Sequence, residues 1–540
     1  MTLLNRLRVA SEYGQESNRW VNYDIKPVEA ERRTWTFWTY HNLWLLVNSN
    51  ISSYMSGSSL IAMGLTWKQA LVSIIVGNAV ATVLVVLNSL PGAFYHTGFP
   101  LVNRYVWGLW GSFFVLWNRI LLSLVWYAVQ SWIGGEAIYV CLKAIWPSLE
   151  TRIPNHMSPS TGMTTAQFVA YIIFMLLSLP IIYIRPHKLK PFFFFSAVTV
   201  GVFLLVVLIW SLATMGDSGF GDTISHPGSG GDGWMVAFGV VSTIGAIAAG
   251  ILNQNDYARF AKRPRDAVLG QMIPFPLYGI ICPVIGIVVT AATQNRYGEP
   301  LWSLPTLLEA VMDHGGGRSR AAAFFGGLAL CVSQLGVNIP GNALSGGFDM
   351  AATFPQYVNV RRGAYFTALL SMVCNPWKLA NTATTFLAVL SSYSVFLGPM
   401  VGAMIASYLI VLRRKIKVDD LFPAQTSASI YYYTYGVNWR AAVAWVCGTI
   451  PSLPGFIAHV DPSISVPVGL TRLFYICFLS GITISATVFI ALHHFFPATK
   501  VQHFVDTAPP AHVLMQEYRE RWEGEEDEDI AERLQEQPKP

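Results

Sequence analysis

Between Trp35 and Phe495 the chain runs again and again for about 20 residues without a Lys, Arg, Asp or Glu, the length one helix needs to cross a bilayer core. Roughly a dozen such stretches follow one another, and a chain built of them must satisfy its backbone inside helices that face lipid or each other. Composition agrees: 53% of the 540 residues are hydrophobic and 12% charged, against about 25% charged in a soluble domain. The charges are segregated into the tails and short connections. These features exclude a multi-domain soluble protein and give the net charge of +5 no nucleic-acid meaning.

Twelve spans are predicted: 36–63, 69–90, 108–142, 165–184, 191–215, 234–258, 267–293, 320–350, 363–377, 381–410, 440–460 and 467–493. The first 34 residues are hydrophilic and contain Arg6, Arg8, Arg19, Arg32 and Arg33, so they read as a tail and not as a signal peptide. Lys and Arg are biased to alternate connections, about fifteen against about seven, which places that set and both tails in the cytoplasm. The connection Gly216 to Gly233 has no Lys or Arg and suits the outside. The run Glu523 to Asp529 reads as a solvated acidic tail. Six scattered cysteines and eleven unclustered histidines show neither a disulfide framework nor a metal spacing. A membrane enzyme is disfavoured by the lack of clustered His, Asp or Glu in the spans, and a sensor by the shortness of the tails.

Two spans read as interrupted in corresponding places. Asn48-Ser49-Asn50-Ile51-Ser52-Ser53 leads to Ser56-Gly57-Ser58-Ser59 in the first. Ser242-Thr243-Ile244-Gly245 leads to Ala248-Ala249-Gly250 in the sixth. Broken segments in both halves point to an inverted-repeat transporter with a midplane site; close helix packing through small residues is the alternative. On the third span Trp126 and Gln130 are four apart and share a face. An indole to stack on a flat ring and a carboxamide with donor and acceptor suit a planar heterocycle with a lactam edge; the alternative is a core tryptophan and a structural glutamine. On the eighth span Pro340 and Gly341 weaken the helix, and Asn338 and Asn342 share a face. Asn338 is expected to satisfy backbone freed by Pro340, and Asn342 to contact ligand. Asp349 is an intramembrane carboxylate and so a candidate proton carrier; pairing with a nearby basic residue such as Arg361 is the alternative. Glu136 is a similar but lesser candidate nearer the outer end.

At these residues the chain resembles the nucleobase–cation symporters of the first family, in its fungal Fur-type branch. The resemblance runs from about Trp20 to about His494. It is carried by Asn22 to Pro27, Glu31 to Thr36, Trp126 to Gly135, Asn253 to Arg259, Asn338 to Asn342 and Tyr393 to Pro399. It implies an all-α integral membrane fold of 12 transmembrane helices, a LeuT-like 5+5 inverted-repeat core with two further helices. Residues 1–35 would be a cytoplasmic tail with a gating segment, 36–410 the core, 411–439 a cytoplasmic loop, 440–493 the added pair and 494–540 the acidic tail.

The family's stacking tryptophan and carboxamide fall on Trp126 and Gln130, its substrate asparagine on Asn342, and the following aspartate on Asp349. Ser52, Ser53 and Ala246 join the expected substrate set; Ala246 stands where some relatives carry Trp or Asn and widens the pocket. Asp24, Tyr393 and Phe396 are the expected gating residues, with Asp24 pairing to Arg259, Lys262, Arg263 or Lys188. Sodium-coupled members carry hydroxyls where this chain has Gly336 and Val337, leaving Ser333 one turn back, so no cofactor or metal is expected and the coupling ion is read as a proton over sodium.

The expected function is proton-coupled import of uracil, allantoin or a related planar solute by a multi-pass plasma-membrane protein. A nucleoside (uridine) or thiamine symporter and a non-transporting nutrient sensor are the alternatives. Expected partners are the solute and the lipid bilayer, not nucleic acid, with the tails available to trafficking or ubiquitination machinery.

Overall fold

The computed structural model describes Trp20 and residues 25–184, 189–216, 233–423, 425–461 and 463–518. Asp24, Lys188, most of the Gly216–Gly233 connection and the acidic run near the C-terminus fall outside the described residues.

Ten described helices are long and apolar enough to cross a membrane. The other two of the twelve expected segments are also in place. The first span is two twelve-residue pieces, Phe37–Asn48 and Ile51–Ala62, and the ninth is the short helix Val360–Ser371. Packing follows the symmetry of an inverted repeat. The outer piece of the first span lies against the seventh, Pro274–Tyr297, and the second, Trp67–Tyr95, lies against the sixth, Gly233–Leu252. The third, Ser112–Ile145, lies against the eighth, which starts as Gly317–Asn338. The twelfth span, ending in Cys477–Phe495, packs on the tenth and eleventh.

The first span breaks where its sequence predicts. Ser49 and Asn50 leave the helix, and Asn50 caps the second piece by accepting from Ser53 N at 3.0 Å. Beyond the break the small residues serve packing. Any side chain at Gly57 would run into the backbone of Pro283, and any at Gly286 into that of Tyr54.

The sixth span corrects the expectation. Gly233–Leu252 is an unbroken helix through Ser242 to Gly250. Gly239 lies against Ser73 and Gly245 against the Leu390 carbonyl, so close packing is why those residues are small. The interruption comes later, at Asn253 and Gln254, before the single turn Asn255–Ala258. Asn88 Nδ2 from the second span satisfies the freed carbonyls of Ile251 and Leu252 at 2.7 and 3.0 Å. The eighth span widens into a π-helical turn at Ile339–Leu344, where Pro340 denies the ladder an N–H, and resumes as Ser345–Thr353.

The described parts of both tails lie at one end of the helix bundle, here the tail face. Val28 N donates to His96 O at 3.0 Å, and Lys415 Nζ donates to Val505 O and Ala508 O. Trp35 is tied both ways to the strand of chain after the sixth span: its N–H donates to Phe260 O, and its carbonyl accepts from Lys262 N.

Candidate functional site

The break in the first span, the π-turn in the eighth and the small face of the sixth leave a cavity of about 160 Å³ between them and the third span. Trp126, Gln130, Asn342, Ser52, Ser53 and Ala246 all line it. The third span supplies a ladder of side chains at helical spacing: Arg119, Ser123, Trp126 and Gln130. Trp126 is buried and meets Tyr393 edge to face, with ring centroids 6.2 Å apart. Tyr393 itself donates from its hydroxyl to Gly245 O. Neither Tyr393 nor Phe396, the expected gating aromatics, is among the residues lining this cavity; Phe396 stacks on Trp445 and meets Phe456 edge to face in the eleventh span.

The carboxamides are wired to one another. Gln130 Oε1 accepts from Ser52 Oγ at 3.0 Å and from Gln334 Nε2 at 2.7 Å. Asn338 Nδ2 donates to Tyr127 O at 3.2 Å and Ser131 Oγ at 2.9 Å, and Asn342 Nδ2 lies 2.9 Å from Asn338 Oδ1. Asn338 therefore satisfies a backbone carbonyl of the third span, not one that Pro340 freed on its own helix. This ties the third and eighth spans together across the weak turn.

On the tail side of the cavity lies an ion pair. Arg119 Nε is 3.6 Å from Asp349 Oδ2, and the side chains are 4% and 1% exposed. Arg119 Nη2 also reaches Ser345 Oγ, and with the Asn253 amide turned so that its nitrogen meets Ala249 O, its oxygen accepts from Arg119 at 2.8 Å. Asp349 is thus paired across the bundle with Arg119. Arg361, the neighbour in sequence, lies instead over the Tyr183 ring at 4.8 Å. Arg119 and Gln334 are the residues that the sequence reading passed over. Arg119 could have been found, since it stands seven residues before Trp126 on the same face and is the one charged residue between positions 105 and 135.

Val337 lines the cavity with an apolar side chain, and the Ser333 hydroxyl behind it is buried without a partner among the described residues. Among those residues no group of His, Cys, Asp and Glu is arranged to hold a metal ion.

With this geometry in view, the chain compares with known proteins as follows. Residues 27–481 match the family described as permease for cytosine/purines, uracil, thiamine and allantoin. The allantoin permease of Saccharomyces cerevisiae is 36% identical over 496 residues, covering 90% of this chain and 77% of that one. The uracil permease of the same yeast is 35% identical over 487 residues, covering 88% and 76%. Among solved structures, the nucleobase-cation-symport-1 family transporter Mhp1 aligns with a TM-score of 0.71 in its inward-facing conformation, over 93% of this chain and 98% of that one at 19% identity. The closed form with bromovinylhydantoin bound aligns at 0.68. At that identity the likeness is one of fold.

Proposed function

The chain belongs to the family of permeases for cytosine/purines, uracil, thiamine and allantoin, and from that premise we propose that it carries a single planar heterocycle of the uracil or allantoin kind across the plasma membrane, driven by protons. It is a membrane transporter of the nucleobase–cation symporter type and not an enzyme. The observation that carries the substrate reading is the cavity itself: a stacking indole, Trp126, beside two carboxamides, Gln130 and Asn342. Its volume of about 160 Å³ suits one ring, since an engineered cavity of about 150 Å³ holds benzene. That size favours a base or ureide over a nucleoside. The names of the relatives, allantoin permease and uracil permease, point the same way.

Proton coupling rests on Asp349. Ionised, it is held by Arg119; protonated, it releases Arg119 from the one carboxylate within ion-pair distance of it among the described residues. A proton can thereby bias which face of the cavity is sealed, and substrate and proton must then favour each other's binding equally. The apolar side chain of Val337 supports a proton over sodium, which needs several oxygen ligands. The tail face is taken as cytoplasmic from its basic connections. The segment around Asp24 is taken as its gate, because Ile25 and Val28 beside it are buried on that face.

Uptake of a panel of radiolabelled bases, ureides and nucleosides by cells expressing the chain tests the reading. Accumulation of uracil or allantoin, raised by external acid and abolished both by a protonophore and by Gln130→Ala or Asn342→Ala at unchanged surface level, is the expected result. Uptake that survives the protonophore but collapses when choline replaces sodium refutes proton coupling, and normal uptake by both alanine variants refutes the site.

A further inference from the structure

Four side-chain amides face one another between the third and eighth spans, and they are not interchangeable. A backbone carbonyl can only accept, so it fixes the orientation of any amide that reaches it. Gln334 Nε2 lies 3.1 Å from the backbone oxygen of Gln130, so that end of Gln334 is the nitrogen. The same nitrogen is 2.7 Å from the Gln130 side chain, so the Gln130 atom it meets is the oxygen. Ser52 Oγ closes on that oxygen as well. With Oε1 taken twice, Gln130 turns its Nε2 to the cavity, and no described residue accepts from it.

Asn338 repeats the device with the opposite result. Its nitrogen is fixed by Tyr127 O, so its oxygen takes the nitrogen of Asn342 and leaves Asn342 Oδ1 uncommitted at the cavity wall. The ligand therefore meets a donor from Gln130 and an acceptor from Asn342.

We infer that Gln334 is a specificity-determining positioning residue: it touches no ligand, but it holds the Gln130 amide donor-first toward the cavity, so that the site accepts a ring with C=O and N–H there and rejects one with an amino group and a bare ring nitrogen. The inference rests on the reading of this cavity as the substrate site. A second observation supports it. In this orientation Gln334 Oε1 is buried with no partner among the described residues, an arrangement that is costly for the side chain itself. A leucine or methionine of similar size would avoid that cost. A glutamine at this position is explained if its nitrogen is what sets Gln130.

Uracil and 2-aminopyrimidine differ in this respect at nearly constant ring size: the second carries an amino group beside bare ring nitrogens and has no C=O or ring N–H, whereas cytosine would still offer its N1–H and C2=O edge. In cells expressing the full chain, uracil and 2-aminopyrimidine are each used unlabelled to compete with whichever labelled base or ureide the wild type accumulates. Sites built around hydrogen bonds reject the wrong partner strongly, so wild type should prefer uracil to 2-aminopyrimidine by about a hundredfold or more. Gln334→Met should bring the two within about tenfold, because the freed Gln130 amide can present either end. A merely structural role would lower uptake while leaving that ratio where it was, and an unchanged ratio in Gln334→Met overturns the inference while the cavity reading stands. If the wild type accumulates neither a base nor a ureide, it is the cavity reading that falls. Should Gln334→Met fail to reach the surface, Gln334→Leu removes the same donor at similar size and should narrow the ratio in the same direction; an unchanged ratio there overturns the inference equally.

Discussion

The third span is charged at both ends of its buried length, and the two ends hold their charges in opposite ways. Toward the tail face, Arg119 has one carboxylate within ion-pair distance among the described residues, Asp349, and both are shut away from solvent. Toward the far face, Lys143 meets three, Glu150, Glu309 and Asp313, at 3.5, 3.5 and 3.1 Å, with exposures of 57, 22 and 52% on the acidic side. The far end has more ion pairs and less depends on them. Exposed pairs contribute about 0–1 kcal/mol, whereas removing one member of a buried pair costs about 3–5 kcal/mol because the other is stranded. The contrast also separates roles. A many-partnered, half-solvated lysine tolerates loss of any one contact; a single buried pair has two states, made and broken, and only such an element can act as a switch.

The largest effect that would sharpen this comparison is at Arg119. Arg119→Ala strands Asp349 and should cost about 3–5 kcal/mol, seen as strongly reduced surface protein. Pairing it with Asp349→Asn removes the stranded charge and should restore much of the surface level without restoring uptake. Equal surface levels for Arg119→Ala and Lys143→Ala would break the distinction between the two ends. Next comes Asp349→Asn alone, which mimics the protonated state. It should reach the surface, lose accumulation against a gradient and lose the acid dependence of uptake. Persistence of a normal pH profile would remove Asp349 from coupling.

Between the two charged ends lies Trp126, where the expected effect is smaller. Trp126→Phe keeps a ring and should retain partial uptake, while Trp126→Ala should lose most of it. Stacking contributes about 0.5–1.5 kcal/mol beyond buried area. Equal activities in the two variants would show that the ring does not stack on the substrate.

Much of this was legible in the sequence for a physical reason. Charge-free stretches of bilayer length announce spans whatever their packing, so the membrane-spanning helices fell where they were expected, and the break at Ser49-Asn50 was marked by consecutive helix-averse polar residues. The face shared by Trp126 and Gln130 needed only helical periodicity. The sixth span misled because glycine and serine serve close packing and unwinding alike. Which use applies at Gly245 depends on the Leu390 carbonyl, 145 residues further along the chain and visible only in three dimensions. Asp349 was found by its type, but its partner was not, since Arg119 lies 230 residues earlier. The orientation of the Gln130 amide, set by Gln334, has no local signature at all.

The smallest predicted effect is at the far end, and it has a definite sign. Glu309 lies on the short helix Leu304–Asp313, outside the spans, where burial pushes its carboxyl up to about 6 against the opposing pull of Lys143. A carboxyl raised in the folded state binds its proton more readily there than in the unfolded chain, whose value is near 4.5. Its contribution to stability is therefore fully present below about 4.5 and is lost as pH rises through about 6. Gln at this position stays uncharged at every pH, so Glu309→Gln should flatten that part of the pH dependence of the thermal midpoint, shift stability at neutral pH by no more than about 1 kcal/mol, and leave uptake within about twofold of wild type. Thermal unfolding of the purified protein across that pH range reads the first two, and uptake reads the third. If instead Glu309→Gln abolished uptake as Asp349→Asn is expected to abolish accumulation, the far cluster would be a switch in its own right, and burial would not be what distinguishes the two ends.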